Sequence, residues 1–142
     1  MKIIALVFIV LALTLGVIFF LNIEFPVGIE SYFKKTYYNQ FGPLAISIEL
    51  LMAGVYLFRK HLKANFALAL FGFTVLLDTL FNVTGLFSSM LPAYAVVLFM
   101  CCGVLSLWLA FTDTFKLGRI SLIGAVVSFI MGNIVELFFN YW

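Results

Sequence analysis

Apolar residues gather into five runs, 3–21, 41–58, 64–87, 91–111 and 120–139, and the charged residues collect in the short segments between them. A helix needs about 20 predominantly apolar residues to cross the hydrocarbon core of a bilayer, and each run is of that order. The pattern predicts an all-α integral membrane protein, residues 1–142 forming one transmembrane domain, a bundle of five spans. Too little chain is left over for a separate soluble domain. The first run is broken only by Thr14 and Gly16, the second carries Glu49, the third Asp78 and Asn82, and the fifth Asn133 and Glu136; the fourth is uncharged.

Lys2 ahead of the first run gives it the look of a secretory signal. A signal's apolar region is usually about 7–15 residues followed by small residues, whereas this run is longer and is followed by Asn22-Ile23-Glu24-Phe25-Pro26. It is expected to remain as a helix.

The basic residues predict an orientation, because cytoplasmic connections carry an excess of Lys and Arg. Lys2, Arg59, Lys60, Lys63, Lys116 and Arg119 fall on one side of a five-span arrangement, and only Lys34 and Lys35 on the other. The expected topology is N-terminus cytoplasmic and C-terminus outside, in a bacterial inner (plasma) membrane. The outer loop 22–40 has Ile29, Phe33, Tyr37 and Phe41 recurring every four residues, with Glu30, Lys34, Lys35 and Asn39 between them. That spacing predicts a short amphipathic helix lying in the headgroup layer, with Tyr32, Tyr37 and Tyr38 at the interface.

Composition agrees: 65% of the residues are hydrophobic and 10% charged, and the mean hydropathy is +1.23. A soluble domain is roughly 45–50% apolar and about 25% charged. The net charge of +2 is small and scattered, so a nucleic-acid partner is excluded. The expected partners are the lipid bilayer and other membrane subunits or copies of the same chain.

Small and polar residues mark the faces expected to pack. Gly124, Ser128, Gly132, Glu136 and Asn140 stand four apart on the fifth run. In lipid, small residues allow close backbone approach and so drive association, which makes Gly124, Ser128 and Gly132 candidate helix-packing positions. Thr74, Asp78, Asn82 and Gly85 form a similar stripe on the third run, whereas the first run has no coherent polar face and is expected to meet lipid along much of its length.

At about 1.5 Å per residue, Glu49 lies about 12 Å from the outer end of its run, Asp78 about 13 Å and Glu136 about 9 Å, so all three acids fall in the outer half of the membrane. No basic residue lies in any of these runs. A carboxyl group in that setting holds its proton or binds a cation, and intramembrane acids are functional candidates by default. The expected polar intramembrane site is Glu49, Asp78, Asn82, Asn133 and Glu136, with at least two of the acids protonated if all three converge.

Other chemistry is thinly represented. His61 is the only histidine and sits in the basic turn Arg59-Lys60-His61-Leu62-Lys63. Cys101 and Cys102 are adjacent on a helix, where side chains diverge by about 100°, and read as packing residues. There is no nucleophile–base pair, phosphate loop or metal signature, so no catalytic residue, metal or cofactor is expected and an enzyme is the less favoured class. The leading expectation is a subunit or scaffold of a membrane complex or homo-oligomer with the carboxylates at helix contacts. The alternative is a small transporter or channel for protons, cations or a small polar solute, and a lipid-modifying enzyme ranks last.

Overall fold

The computed structural model describes residues 1–140, in the order α1 (Lys2–Leu21), a 3₁₀ turn (Ile29–Phe33), α2 (Lys35–Asn39), α3 (Gly42–Phe58), α4 (Ala64–Val83), α5 (Ala93–Phe111) and α6 (Leu122–Asn140). Five helices are long and apolar enough to cross a membrane, α2 and α3 counting together as one stretch from Lys35 to Phe58. No strand is present among the described residues.

Helix ends follow local chemistry. Pro43 opens α3, where its missing N–H costs no helical hydrogen bond. The third run stops being helical at Val83, short of its apolar end at residue 87. Gly85 takes a left-handed φ of +73° there; Leu86 N donates to Phe81 O (2.9 Å) and Gly85 N to Asn82 O (3.2 Å), which closes the helix, and the Phe81 and Phe87 rings pack 4.9 Å apart. Lys60 does the same for α3 with φ of 52°, His61 N donating to Tyr56 O at 2.9 Å while the His61 ring stacks on Tyr56.

α4 is the central helix, packed against α3, α5 and α6, with α1 lying on α3. Two of these contacts are backbone approaches. A Cβ placed on Gly54 of α3 would lie 3.1 Å from Ala5 O of α1, and one on Gly72 of α4 would lie 2.9 Å from Gly103 O of α5. Along α1, Ala5, Phe8, Ala12, Leu15 and Phe19 are buried at alternating spacings of three and four, while Val7, Val10, Leu13 and Val17 are exposed. The helix therefore packs through one face of apolar residues and leaves its other faces open, in keeping with a run that has no coherent polar face.

The outer connection departs from the single amphipathic helix expected of it. Lys34 is extended (φ −85°, ψ 144°) and separates the 3₁₀ turn from α2, while Ile29 and Phe33 stay exposed. Residues five apart on a helix point about 140° away from each other. Tyr32 and Tyr37 nevertheless meet edge to face at 5.1 Å, a contact that the break allows, while Tyr37 meets Phe41 at 5.2 Å across the four-residue spacing expected of a helix. Gln40 closes this connection: its Oε1 accepts from Glu24 N at 2.7 Å and its Nε2 donates to Glu24 O at 3.4 Å.

At the opposite, basic end, Asn65 at the start of α4 donates to the carbonyls of Leu117 (3.3 Å) and Gly118 (2.9 Å), and Ile120 N donates to Ala110 O at 2.9 Å. These bonds fold the α5–α6 connection under the bundle and aim α6 back along α4.

Candidate functional site

Both α4 and α6 run from the basic end to the tyrosine-rich end, so they pack in parallel and matched positions recur along them. Phe73 meets Phe129 at 5.4 Å, and a Cβ on Gly132 would stand 3.1 Å from Thr74 Oγ1 and 3.2 Å from Thr74 N. Gly132 thus lets α6 touch the α4 backbone. One turn further, Asp78 and Glu136 bring their carboxyl groups within hydrogen-bonding reach of each other. Both are buried, at 7% and 3% exposure.

Glu49 of α3 joins from the third side. It lies beside Thr74 and close enough to Glu136 for their charges to interact. The residue is 8% exposed, and its Oε2 has no hydrogen-bond partner. The Thr74 hydroxyl donates its one proton to Leu70 O at 3.0 Å.

Two neutral donors flank the pair. Ser89, in the α4–α5 connection, donates its hydroxyl to Asp78, 3.0 Å from each carboxyl oxygen, and itself accepts from Leu91 N at 3.2 Å. Asn140, at the end of α6, donates from Nδ2 to Glu136 Oε2 at 3.1 Å and to the Glu136 carbonyl at 2.9 Å. Asn140 also lines a cavity of about 570 Å³ at the tyrosine-rich end, together with Lys35, Asn39, Ser88 and the turn at Gly85. The pair is thus one amide away from a polar opening.

Of the five polar residues expected in the site, Glu49, Asp78 and Glu136 come together. Asn82 is exposed and one step removed, its Oδ1 accepting from Ser89 N at 3.3 Å. Asn133 does not join: its amide donates to Phe129 O at 2.9 Å, one turn back on its own helix. Ser128 and Gly132 are buried at the α6 contact, but Gly124 is not part of it, since a Cβ there would meet first Ile120 and Ser121 of the adjoining segment. A spacing of four drifts about 40° per step on a helix of 3.6 residues per turn, so the buried stripe begins at Ala125 instead.

Ser89 is the partner the sequence does not reveal. Its hydroxyl reaches Asp78 only because Gly85 reverses the chain. Thr74 and Asn140 lie on the polar stripes already visible in the runs.

Chemically, two carboxyl groups in contact require a proton shared between them or a cation held by both, because like charges this close cannot both stand free in low dielectric. The flanking groups argue for the proton. Ser89 O–H and Asn140 N–H point hydrogens at the oxygens a metal ion would use. Among the described residues no group of three or more His, Cys, Asp or Glu is placed to hold a metal.

No family model matches the chain, and no curated protein and no solved structure matches it either.

Proposed function

We propose that this is a polytopic integral membrane protein that takes up and releases protons at the Glu49–Asp78–Glu136 cluster, as a small transporter or channel. The observation that carries the reading is the meeting of Asp78 and Glu136 inside one chain, with no basic residue anywhere in α3 to α6. Membrane carboxylates without cations are retained at proton and ion pathways. The neighbouring cavity at the tyrosine-rich end supplies the route by which the cluster exchanges with water, Asn140 standing between the two.

The role as a subunit or scaffold, the leading expectation from the sequence, rests on the small-residue face of α6 and on acids awaiting a partner. That face is filled by α4 of the same chain and the acids meet one another, so neither feature calls for a second protein.

The test is proton flux into liposomes containing the purified protein and a pH-sensitive dye, driven by a potassium diffusion potential. Wild type is expected to exceed empty liposomes, and Asp78→Asn and Glu136→Gln to lower the flux at least tenfold while keeping a monodisperse elution profile. Flux equal to empty liposomes, or variants as active as wild type, would end the proposal.

The proposed placement puts the basic end in the cytoplasm and residues 22–41 in the outer headgroup layer, by the excess of Lys and Arg at one end. In a Cys101→Ser, Cys102→Ser background, Ser31→Cys and Ser88→Cys should react with an impermeant thiol reagent in intact cells, and His61→Cys only after lysis. The reverse pattern would invert the topology.

A further inference from the structure

A second opening among the described residues is separate from the carboxyl cluster. A cavity of about 780 Å³ sits at the tyrosine-rich end between the end of α1, the connection to α3 and the start of α5. Its floor is apolar, made by the buried Phe19 and Pro43, and Phe25, Met90 and Tyr94 line it as well. Its remaining lining includes one acid and one base, Glu24 and Lys34. Neither the Glu24 carboxylate nor the Lys34 ammonium makes an ion pair or hydrogen bond with another described residue.

Opposite charges left unpaired around one bowl are complementary to a ligand that carries both. The clamp from Gln40 anchors the backbone of Glu24 at the edge, which keeps its exposed carboxylate within side-chain reach of the cavity. On the proposed membrane placement the cavity lies at headgroup depth, with its apolar floor toward the hydrocarbon.

We propose that this cavity binds a zwitterionic phosphoethanolamine group, its ammonium facing Glu24 and its phosphate facing Lys34, the Phe19 floor receiving whatever apolar chain the ligand bears. A charged group meeting a positioned opposite charge gains a charge-assisted hydrogen bond, the stronger class of such bonds. Phosphatidylglycerol offers Lys34 the same phosphate but places neutral glycerol hydroxyls where the ammonium would stand, so Glu24 loses its ionic partner. Discrimination between the two therefore belongs to Glu24, and general retention to Lys34. The inference rests on the membrane placement and not on proton transfer, and the cysteine-labelling pattern tests that placement by itself.

Native mass spectrometry of the purified protein with phosphatidylethanolamine and phosphatidylglycerol of identical chains reads the site directly. Wild type is expected to retain phosphatidylethanolamine at least fivefold over phosphatidylglycerol. Glu24→Gln should erase the preference, Lys34→Gln should lower retention of both lipids, and Gln40→Ala should weaken the preference although both charges remain. Free glycerophosphoethanolamine distinguishes the sources: displacement of the lipid assigns the site to the headgroup alone, and retention of phosphatidylethanolamine in its presence assigns it to the lipid. Equal retention of the two lipids by wild type, or a preference that survives both Glu24→Gln and Lys34→Gln, would overturn the proposal.

Discussion

Gly72→Leu is expected to abolish the folded bundle. A mere Cβ at residue 72 stands 2.5 Å from Leu107 Cγ and 2.9 Å from the Gly103 carbonyl oxygen. The first atom belongs to a side chain that can rotate, but the second is backbone of a helix packed along its length, so α4 and α5 must separate. Overpacking a tight contact costs roughly 1–3 kcal/mol, occasionally more. α4 touches three other helices, so what it loses against α5 is compounded elsewhere. Gly72→Ala should lower the thermal midpoint in detergent by several degrees, and Gly72→Leu should leave no monodisperse protein. Gly28→Ala is the control: nothing lies within 4 Å of its added methyl, and its melt should match wild type. A Gly72→Leu protein that elutes and melts like wild type would mean that α4 and α5 do not lie as close as described.

Gly132→Leu should act on the site while sparing most of the bundle. The gap to Thr74 is only 3.1–3.2 Å for a methyl group, and a leucine there lifts α6 away from α4. Asp78 and Glu136 sit one turn beyond this contact, so the same displacement parts the two carboxyl groups. The other four long helices keep their own contacts, since α6 packs on α4 and only lightly on α3. The expected result is a soluble, folded preparation in detergent whose proton flux has fallen at least tenfold. Gly124→Leu places the same bulk on the same helix beside Ile120 and Ser121, and should keep both fold and flux. Equal behaviour of the two variants would show that Gly132 is not the contact on which the pair depends.

Hydropathy exposes the five long helices because a span must be apolar throughout, whatever its neighbours. The same requirement hides the packing of α1. Ala5, Phe8, Ala12, Leu15 and Phe19 are no more apolar than the exposed Val7, Val10 and Leu13, so no contrast in the sequence marks the buried face. Position along each run is likewise legible for the acids by counting residues, although α4 ends at Val83 and so leaves Asp78 five residues from its end and not nine. Their convergence is not, because direction around the helix matters only once the order of helices is known, and α4 and α6 are neighbours that the chain does not visit in succession. Asn133 shows the difference: it has the right depth and bonds to its own helix. The outer connection fails for another reason. Its four-residue apolar period fits a helix, but the Tyr32–Tyr37 contact accompanies a bend at Lys34, and a contact between residues five apart leaves no trace in that period.

The parallel pairing of α4 with α6 also dictates a sequence of events during synthesis. On the proposed membrane placement, Asp78 enters the bilayer while Glu136 is still untranslated, and an unpaired aspartate within a span is costly, up to about 2.5–3.5 kcal/mol at a helix centre on insertion scales. Ser89 is only eleven residues away and arrives with the turn that ends α4, so Asp78 gains a hydroxyl partner as soon as α5 begins. Its carboxyl partner comes two helices later. The polar centre is therefore the last part of the bundle to close, and a nascent chain halted before α6 holds Asp78 with the Ser89 hydroxyl but without its carboxyl partner.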